Sequence, residues 1–511
     1  MYSQSHSAVI YGMDACIVNV EADVSDGLPM YSLVGYLSTQ AKEAKDRVRI
    51  SMKNSGYKIP TKRITINLSP ADIRKEGTAF DLPIAVAILT ALGWLPSSRI
   101  EKTLIIGELS LDGQINPVNG VLPIVYTAMQ NGFTECIVPY ANRKEGAVVQ
   151  GINIIGVKSL HETIEYFNGK KQIDPMHICW TEEYSSEEGD NLDFSDVKGQ
   201  ETMKRALEVA VSGMHNLLMI GPPGAGKTML AKRVASIMPR LTFEESMELS
   251  KIYSIAGLLN EEQSFIIKRP FRSPHHSITD AAMAGGGTVP KPGEITLADK
   301  GVLFLDELPE FKRSTLVLLR QPLEDRRVNI SRLNGTCSYP TSFMLISAMN
   351  PCKCGYYPDR NRCSCSSFQI KQYLHKISQP FLDRMDLCAE AVEVKYTDLE
   401  KKSCGETSEM IRKRVEETRN IQWKRYQNED IYFNAELSPK LTAKFCILGK
   451  EEQEFLEQIF HKMDLSARAY HRILKVARTI ADISRSERIK SEHLSEAVCY
   501  RSLDKKYWGI E

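Results

Sequence analysis

The chain has almost no net charge: 65 Lys and Arg stand against 64 Asp and Glu over 511 residues. That balance excludes a globally basic nucleic-acid binder, so any surface for nucleic acid must be local. Long hydrophobic runs are also missing. The longest, LPIAVAILTALGWLP, is too short to span a bilayer and is cut by prolines, so no membrane partner is expected. The opening MYSQSHSAVIYGMDACIV has neither a basic stretch nor an apolar one, and no export signal is expected. There is no internal repeat and no low-complexity tract. Cysteine is scarce at twelve residues, scattered except for one group of four. Without an export signal this reads as reduced thiols in the cytoplasm. What is left is an ordinary globular composition, 42% hydrophobic and 25% charged, in a length that holds about three domains.

Residues 1–168 alternate strand-like and helix-like segments. RITINLSP reads as a strand, and TLIIGELSLDGQINPV as strand, Asp112-Gly113 turn and strand. Residues 169–193 are polar, acidic and aperiodic, which predicts a linker. A second α/β region covers 194–393, and 394–511 is rich in helical periodicity.

The most informative stretch is NLLMIGPPGAGKTMLAKRVA. Leu217 to Ile220 predicts a buried strand, and Leu230, Val234 and Ile237 fall on one face of a following helix. Between them Gly221, Pro222, Pro223, Gly224, Ala225, Gly226, Lys227 and Thr228 match the phosphate-loop pattern, in the strand–loop–helix context that the pattern requires. Glycines let backbone N–H groups wrap the phosphates of ATP at a helix N-terminus. Lys227 is expected on the β- and γ-phosphates and Thr228 on Mg²⁺. A second apolar strand, Val302 to Leu305, ends in Asp306-Glu307. Asp306 can bind Mg²⁺ through water, and Glu307 can polarise the attacking water. A third strand, SFMLISAMN, brings Asn350 to the same edge, where a neutral amide can orient that water and sense the γ-phosphate.

Beyond the sheet strands comes SQPFLDRMDL. Arg384 lies too far along to serve its own nucleotide and suits an arginine finger supplied to a neighbour; the bland alternative is an ion pair with Asp383 or Asp386. In LSARAYHRILKVARTIAD, Arg468, Arg472 and Lys475 share one helix face, while Ala469, Ile473, Val476 and Ile480 can pack inward. In a lid after such a core, Arg468 is a candidate γ-phosphate contact.

This ordered set resembles the AAA+ ATPases, more narrowly the magnesium-chelatase-like branch, and within it the ComM/YifB family. The resemblance runs along essentially the whole chain and includes GLPMYSLVG, NLSPADIRKEGTAFDLPIA, GQETMKRALEVA, PFRSPHHSITDAAMAGGG and LRQPLEDRRV. It implies a homo-oligomeric ring, a hexamer, with ATP cleaved where subunits meet. It implies the fold of the Lon proteolytic domain for residues 1–168, an AAA+ P-loop core for 194–393 and a helical lid for 394–511. Proteolysis of the Lon type needs a Ser nucleophile and a Lys base. Aligned on the family motifs, Ala79 and Leu122 occupy those two positions, so an inactive protease domain is expected. Ser69 and Lys75 lie nearby in sequence, but rescue by them would need a different geometry.

Two insertions bear on what the motor acts on. Residues 272–295, with a Gly285–Gly287 hinge, resemble the insert that points into the ring pore; its His275-His276 pair is expected to order the loop. DRRVNISRLNGTCSYPTSF reads as a basic hairpin with an Asn334-Gly335 turn, with Arg326 and Arg327 before it and Arg332 near its tip. It suits a phosphate backbone. The resemblance implies a ring helicase that promotes branch migration of DNA during recombination of incoming DNA in natural transformation, with recombination proteins as partners. Two readings compete with it: a magnesium-chelatase-type motor that remodels a partner protein or assists metal insertion, and an ATP-dependent protease.

The four clustered cysteines, Cys352, Cys354, Cys363 and Cys365, form two Cys-x-Cys pairs in the insertion 351–366. Four soft ligands suit tetrahedral Zn²⁺ and close its coordination sphere, which predicts a structural clip beside the ATP site or pore.

Overall fold

The structure, a computed structural model, describes residues 1–178, 192–286, 291–332, 335–393 and 405–508, with the backbone alone at 331, 332, 335, 336, 504 and 505. The acidic part of the 169–193 segment, Gly287, Asn334 and the side chain of Arg332 lie outside the described residues.

The first sheet is built from alternating sequences. Its strands are β1 (Tyr2–Tyr11), β2 (Asp14–Ser25), β3 (Met30–Val34), β4 (Arg63–Ser69), β5 (Thr103–Ile105), β8 (Glu135–Pro139) and β9 (Asn153–Val157), in the order β3-β4-β2-β1-β5-β8-β9. The β1, β2 and β4 pairings are antiparallel, whereas β3 and the β5-β8-β9 side run parallel to their neighbours. Residue TLIIGELS does not form one long hairpin strand: β5 pairs with β1 and β8, and the Asp112-Gly113 turn joins only the two-residue strands β6 (Glu108–Leu109) and β7 (Ile115–Asn116). Helices α1 (Thr39–Asn54), α2 (Asp81–Ala91), α3 (Val121–Gln130), α4 (Arg143–Ala147) and α5 (Leu160–Phe167) cover the sheet. The longest apolar run is α2, in which every residue but Thr90 is buried. No described helix is long and apolar enough to cross a membrane.

The second sheet is parallel throughout: β11 (Phe271–Arg272), β14 (Val302–Leu305), β17 (Met344–Met349), β10 (Leu217–Ile220) and β18 (Leu387–Glu390), in that order. The continuous apolar runs of β10, β14 and β17 are buried at every residue, as a parallel sheet covered on both faces requires. Helices α6 (Glu201–Gly213), α7 (Lys227–Ile237) and α8 (Phe243–Ala256) belong to this part. Within it, β12 (Gly285–Gly286) pairs with β13 (Lys291–Pro292), and β15 (Arg327–Arg332) with β16 (Gly335–Pro340), the expected hairpin.

The described residues from 405 on form helices, chiefly α9 (Ser408–Arg425), α10 (Lys450–Lys462), α11 (Ala467–Ile483) and α12 (Ser491–Trp508). They share one hydrophobic core with α6 and α7 through Val415, Ile473, Ala477 and Leu494. Ion pairs Arg414–Glu208 at 2.6 Å and Arg205–Glu496 at 2.9 Å close the edges.

The first sheet is docked on the second part through α3 and α8. Gly120 N–H donates to the Ser254 carbonyl at 3.0 Å. Glu145, buried, accepts from Leu122 N–H at 3.0 Å, from Asn142 at 3.0 Å and from the Ser254 hydroxyl. Phe243, Met247 and Phe265 enter the apolar cluster of α3, β8 and β9.

Candidate active site

Parallel strands deliver their C-terminal ends to one edge, and the candidate residues follow those ends: Gly221 after β10, Asp306-Glu307 after β14 and Asn350 after β17. The loop after β10 turns through Gly224 and Gly226 at φ +78° and +82°; added Cβ atoms there would meet nothing, so conformation is what calls for glycine. Helix α7 starts at Lys227. Only 8% of Lys227 is exposed. Its ammonium donates to the carbonyls of Gly221 at 2.7 Å and Pro222 at 2.9 Å and to Asn350 Oδ1 at 3.1 Å. Burial lowers its pKa, opposed only by the more distant Asp306 carboxylate. A buried ammonium ringed by neutral oxygens, at a helix N-terminus with free backbone N–H groups, fits a phosphate.

The Thr228 hydroxyl donates to Asp306 Oδ2 at 2.6 Å. A hydroxyl and a carboxylate held together beside a phosphate loop are a hard oxygen set that fits Mg²⁺. Glu307 sits in the left-handed region at φ +52°, an uncommon position for a residue with a side chain and one met at functional sites. Its carboxylate is 3.6 Å from His276 Nδ1, and His276 in turn stacks near His275 with ring centroids 4.0 Å apart. The histidine pair therefore approaches the candidate base, a contact that loop sequence alone does not disclose. Gln200 was not singled out in the sequence either. Its amide donates to the Ala225 carbonyl at 2.9 Å and holds the phosphate loop from the start of α6.

Arg384 lies at the other end of the sheet. Asp386 N–H donates to the Asn216 carbonyl at 2.9 Å and Asn216 Nδ2 to the Arg384 carbonyl at 3.0 Å, so Arg384 borders the N-terminal end of β18, while Ala391 beyond its C-terminal end bonds Ile220. The length of β10 separates it from Gly221, about 16 Å at a strand's rise per residue. Its guanidinium pairs with Glu324 at 2.5 Å, not with Asp383 or Asp386. Arg468 is 73% exposed and 3.7 Å from Asp383, beside Arg384 and away from its own phosphate loop. Arg472 reaches Asp386 at 3.7 Å, and Lys475 donates to the Ala435 carbonyl at 3.0 Å, so most of this basic face is used to seat α11 on the core. Burial would raise the Asp386 pKa, but the His215 ring 3.7 Å away and the charges of Arg472 and Lys475 hold it well below the ordinary carboxylate range.

The four cysteine sulfurs lie within 4.8 Å of one another, with Cys352–Cys354 at 3.3 Å, Cys354–Cys363 at 3.5 Å and Cys352–Cys363 at 3.7 Å. Tetrahedral zinc with sulfur at ~2.3 Å sets its ligands ~3.8 Å apart, so the cluster fits that ion. Gly355, between the two pairs, presses on the phosphate loop: a Cβ there would fall 2.5 Å from Pro223 Cδ.

At the positions where the Lon dyad is expected, Leu122 is fully buried at the start of α3 and Ala79 is partly buried. Lys75 is buried and donates to the Pro70 carbonyl; among the described residues no hydrogen bond joins it to Ser69.

A phosphate loop on a parallel sheet, with an acidic pair and an amide on neighbouring strand ends, defines a P-loop ATPase. Family models described as magnesium chelatase, subunit ChlI, match residues 193–399, 20–142 and, for its C-terminal part, 405–501. The chain is 42% identical over 503 residues to competence protein ComM of Haemophilus influenzae, covering 98% of this chain and 97% of that protein. It is 42% identical over 501 residues to YifB of Escherichia coli, with the same two coverages. Lon protease 2 of Bacillus subtilis is 31% identical over 144 residues, 27% of this chain and 25% of that protein. The chain belongs to the ComM/YifB family of magnesium-chelatase-like AAA+ ATPases.

Proposed function

We propose that the protein is a hexameric, DNA-translocating ATPase that promotes branch migration during recombination of incoming DNA, acting in the cytoplasm. The observation that carries this reading is the split of the candidate site residues. Lys227, Asp306, Glu307 and Asn350 converge on one edge of the sheet, while Arg384 and Arg468 stand together at the opposite edge. A nucleotide on the first set is completed by the second set of a neighbouring copy. Lys227 would hold the β- and γ-phosphates, and Thr228 and Asp306 would hold a Mg²⁺ ion that supplies charge neutralisation there. Glu307 accepts the proton of the attacking water, Asn350 orients it, and the neighbour's Arg384 and Arg468 offset the charge that develops. His276 keeps Glu307 in place before the neighbour closes.

The chain divides into a Lon-like part (1–168), a linker (169–193), the ATPase core (194–393) and a helical lid (394–511). The first has lost peptide hydrolysis, because the methyl of Ala79 and the isobutyl of Leu122 can neither attack nor accept a proton. Cys352, Cys354, Cys363 and Cys365 hold a structural Zn²⁺. Support for DNA as the substrate comes from the competence protein among the relatives and from the basic hairpin β15–β16. The chelatase description of the matching models favours one rival, a motor that remodels a protein. Unwinding and branch-migration assays with wild type, Lys227→Ala and Glu307→Gln separate the two. DNA-stimulated ATP turnover, abolished in both variants, is expected; wild type that neither binds nor responds to DNA would favour the rival.

A further inference from the structure

The first part of the chain is close to neutral as a whole, yet its charge is segregated. Residues 39–75 contain ten Lys or Arg and three Asp or Glu. Most of the excess lies on and just after α1. That helix buries Ala41, Ala44, Val48 and Met52. At 100° per residue, Lys42, Lys45, Arg49 and Lys53 then fall on one flank, within about a quarter-turn. None of the four makes an ion pair among the described residues. The only arginine on the opposite flank, Arg47, is bound instead to buried Asp81 at 2.7 Å.

The basic flank faces the edge of the sheet. Arg47, on the other flank, is held on Asp81 at the start of α2, so the basic flank turns away from α2 and toward β3, the terminal strand. Tyr31 and Leu33 of β3 pack toward α1, so Met30 and Val34 point to the other face of the sheet; these two are exposed, as are Leu28 and Tyr36 beyond the ends of β3, Leu28 at 88%. Cations stand at both ends of this apolar ribbon. Arg63 is paired in register with Met30, and the Arg74 guanidinium, itself ion-paired with Glu76 at 3.2 Å, lies 6.0 Å from the Tyr36 ring centroid. The 16 residues of α1 extend over about 24 Å. A row of unpaired cations on one side of a sheet edge, with exposed apolar side chains and a ring on the other side and at its ends, can grip a single strand of nucleic acid laid across that edge. The cations track phosphates, and the Tyr36 ring gives a base a platform without regard to sequence. A protein partner of this surface would need an acidic, apolar face of matching length; a polyanion needs only its regular charge.

We infer that the α1–β3 edge of the Lon-like part is a second, sequence-independent binding surface for single-stranded DNA, separate from the hairpin β15–β16. It rests on the DNA reading above and assigns that strand a track outside the ATPase core. In place of peptide hydrolysis, this part of the chain holds a strand.

The test measures binding of a fluorescein-labelled thirty-residue oligo-dT by anisotropy across a series of NaCl concentrations. Lys42→Glu/Arg49→Glu/Lys53→Glu is compared with wild type, both as the full chain. Three lost phosphate contacts should lower the slope of log affinity against log salt by about 2. Tyr36→Ala, with all charges kept, should weaken binding about tenfold at unchanged slope. DNA-free ATP turnover and melting temperature should stay at wild-type values in both variants. A wild type that binds while the triple variant shows the same slope and affinity would overturn this surface and leave the motor reading intact. A wild type that binds no DNA would sink both. Retention on phosphatidylglycerol vesicles that oligo-dT fails to compete away would assign the surface to a membrane and overturn the proposal.

Discussion

Gly355 connects the cysteine cluster to the nucleotide. Its φ is +91°, and a methyl group added there would lie 2.5 Å from Pro223 Cδ and 3.2 Å from Pro223 Cγ. Carbon atoms rest ~3.5–4.0 Å apart, so the two loops would have to separate by about 1 Å. Pro223 cannot yield by rotation, because Cδ belongs to a ring closed on the backbone. Gly355→Ala therefore carries two penalties: ~1–2 kcal/mol for an L-residue held left-handed and ~1–3 kcal/mol for overpacking. The cysteine loop is the firmer side. Cys352 is fully buried, and Tyr357 packs edge-on against Tyr507, itself buried. The phosphate loop should give way, and at 1.4 kcal/mol per tenfold the variant should bind ATP about 10–100-fold more weakly. Titration with a fluorescent ATP analogue reads this, with zinc content per chain measured on the same sample. Gly132→Ala is the control: its φ is +81° but nothing lies within 4 Å of the added methyl, so only the conformational term applies, far from the nucleotide. Unchanged nucleotide affinity in Gly355→Ala, with zinc and melting temperature also unchanged, would refute the claim that the clip sets the loop.

Three further outcomes are expected. Glu307→Gln should bind ATP normally and lose turnover by about 10²–10⁴-fold, because the amide cannot take a proton; steady-state hydrolysis beside nucleotide titration checks this. Cys363→Ser should release zinc and lower the melting temperature, read by a colorimetric zinc assay on purified protein and by thermal unfolding. Asp299, buried and bonded by Ser342 N–H at 2.5 Å, is raised by burial from 3.8 to about 6. Its folded pKa exceeds its unfolded one, so its contribution to stability is complete below about pH 4 and fades as pH rises through about 6. Two units correspond to about 3 kcal/mol at most. Wild type minus Asp299→Asn, measured by urea unfolding from pH 4 to 7, should therefore decline with rising pH and then level off; a flat or rising difference would contradict the burial argument.

How much the sequence disclosed depended on distance along the chain. The phosphate loop was legible because strand, turn and helix are consecutive, and Leu230, Val234 and Ile237 are fully buried as their spacing implies. Asp306, Glu307 and Asn350 were legible because buried parallel strands are continuous apolar runs whose ends share one edge. Contacts between distant loops were not. Nothing local in PHHS points to Glu307, and nothing in KCGY points to Pro223. Arg468 shows the same limit more sharply. Helical spacing gave its neighbours on α11, but which end of the core that helix meets is decided by Arg472–Asp386 and by packing on α6. The pairing of Arg384 with Glu324 in place of Asp383 was likewise hidden, since the helix Arg320–Asp325 approaches only in the folded chain. The hairpin at Asp112-Gly113 was legible as a turn but not in length, because β5 finds partners in β1 and β8 that no local pattern announces.

A nucleotide site shared between copies is tested most directly by mixing two inactive variants. Lys227→Ala and Arg384→Ala should each be silent alone. Combined, they should recover a fraction of wild-type ATP turnover, because some seams then pair an intact phosphate loop with an intact guanidinium. Recovery that fails across all mixing ratios, in samples shown to exchange subunits, would contradict the shared site; so would full turnover by Arg384→Ala alone.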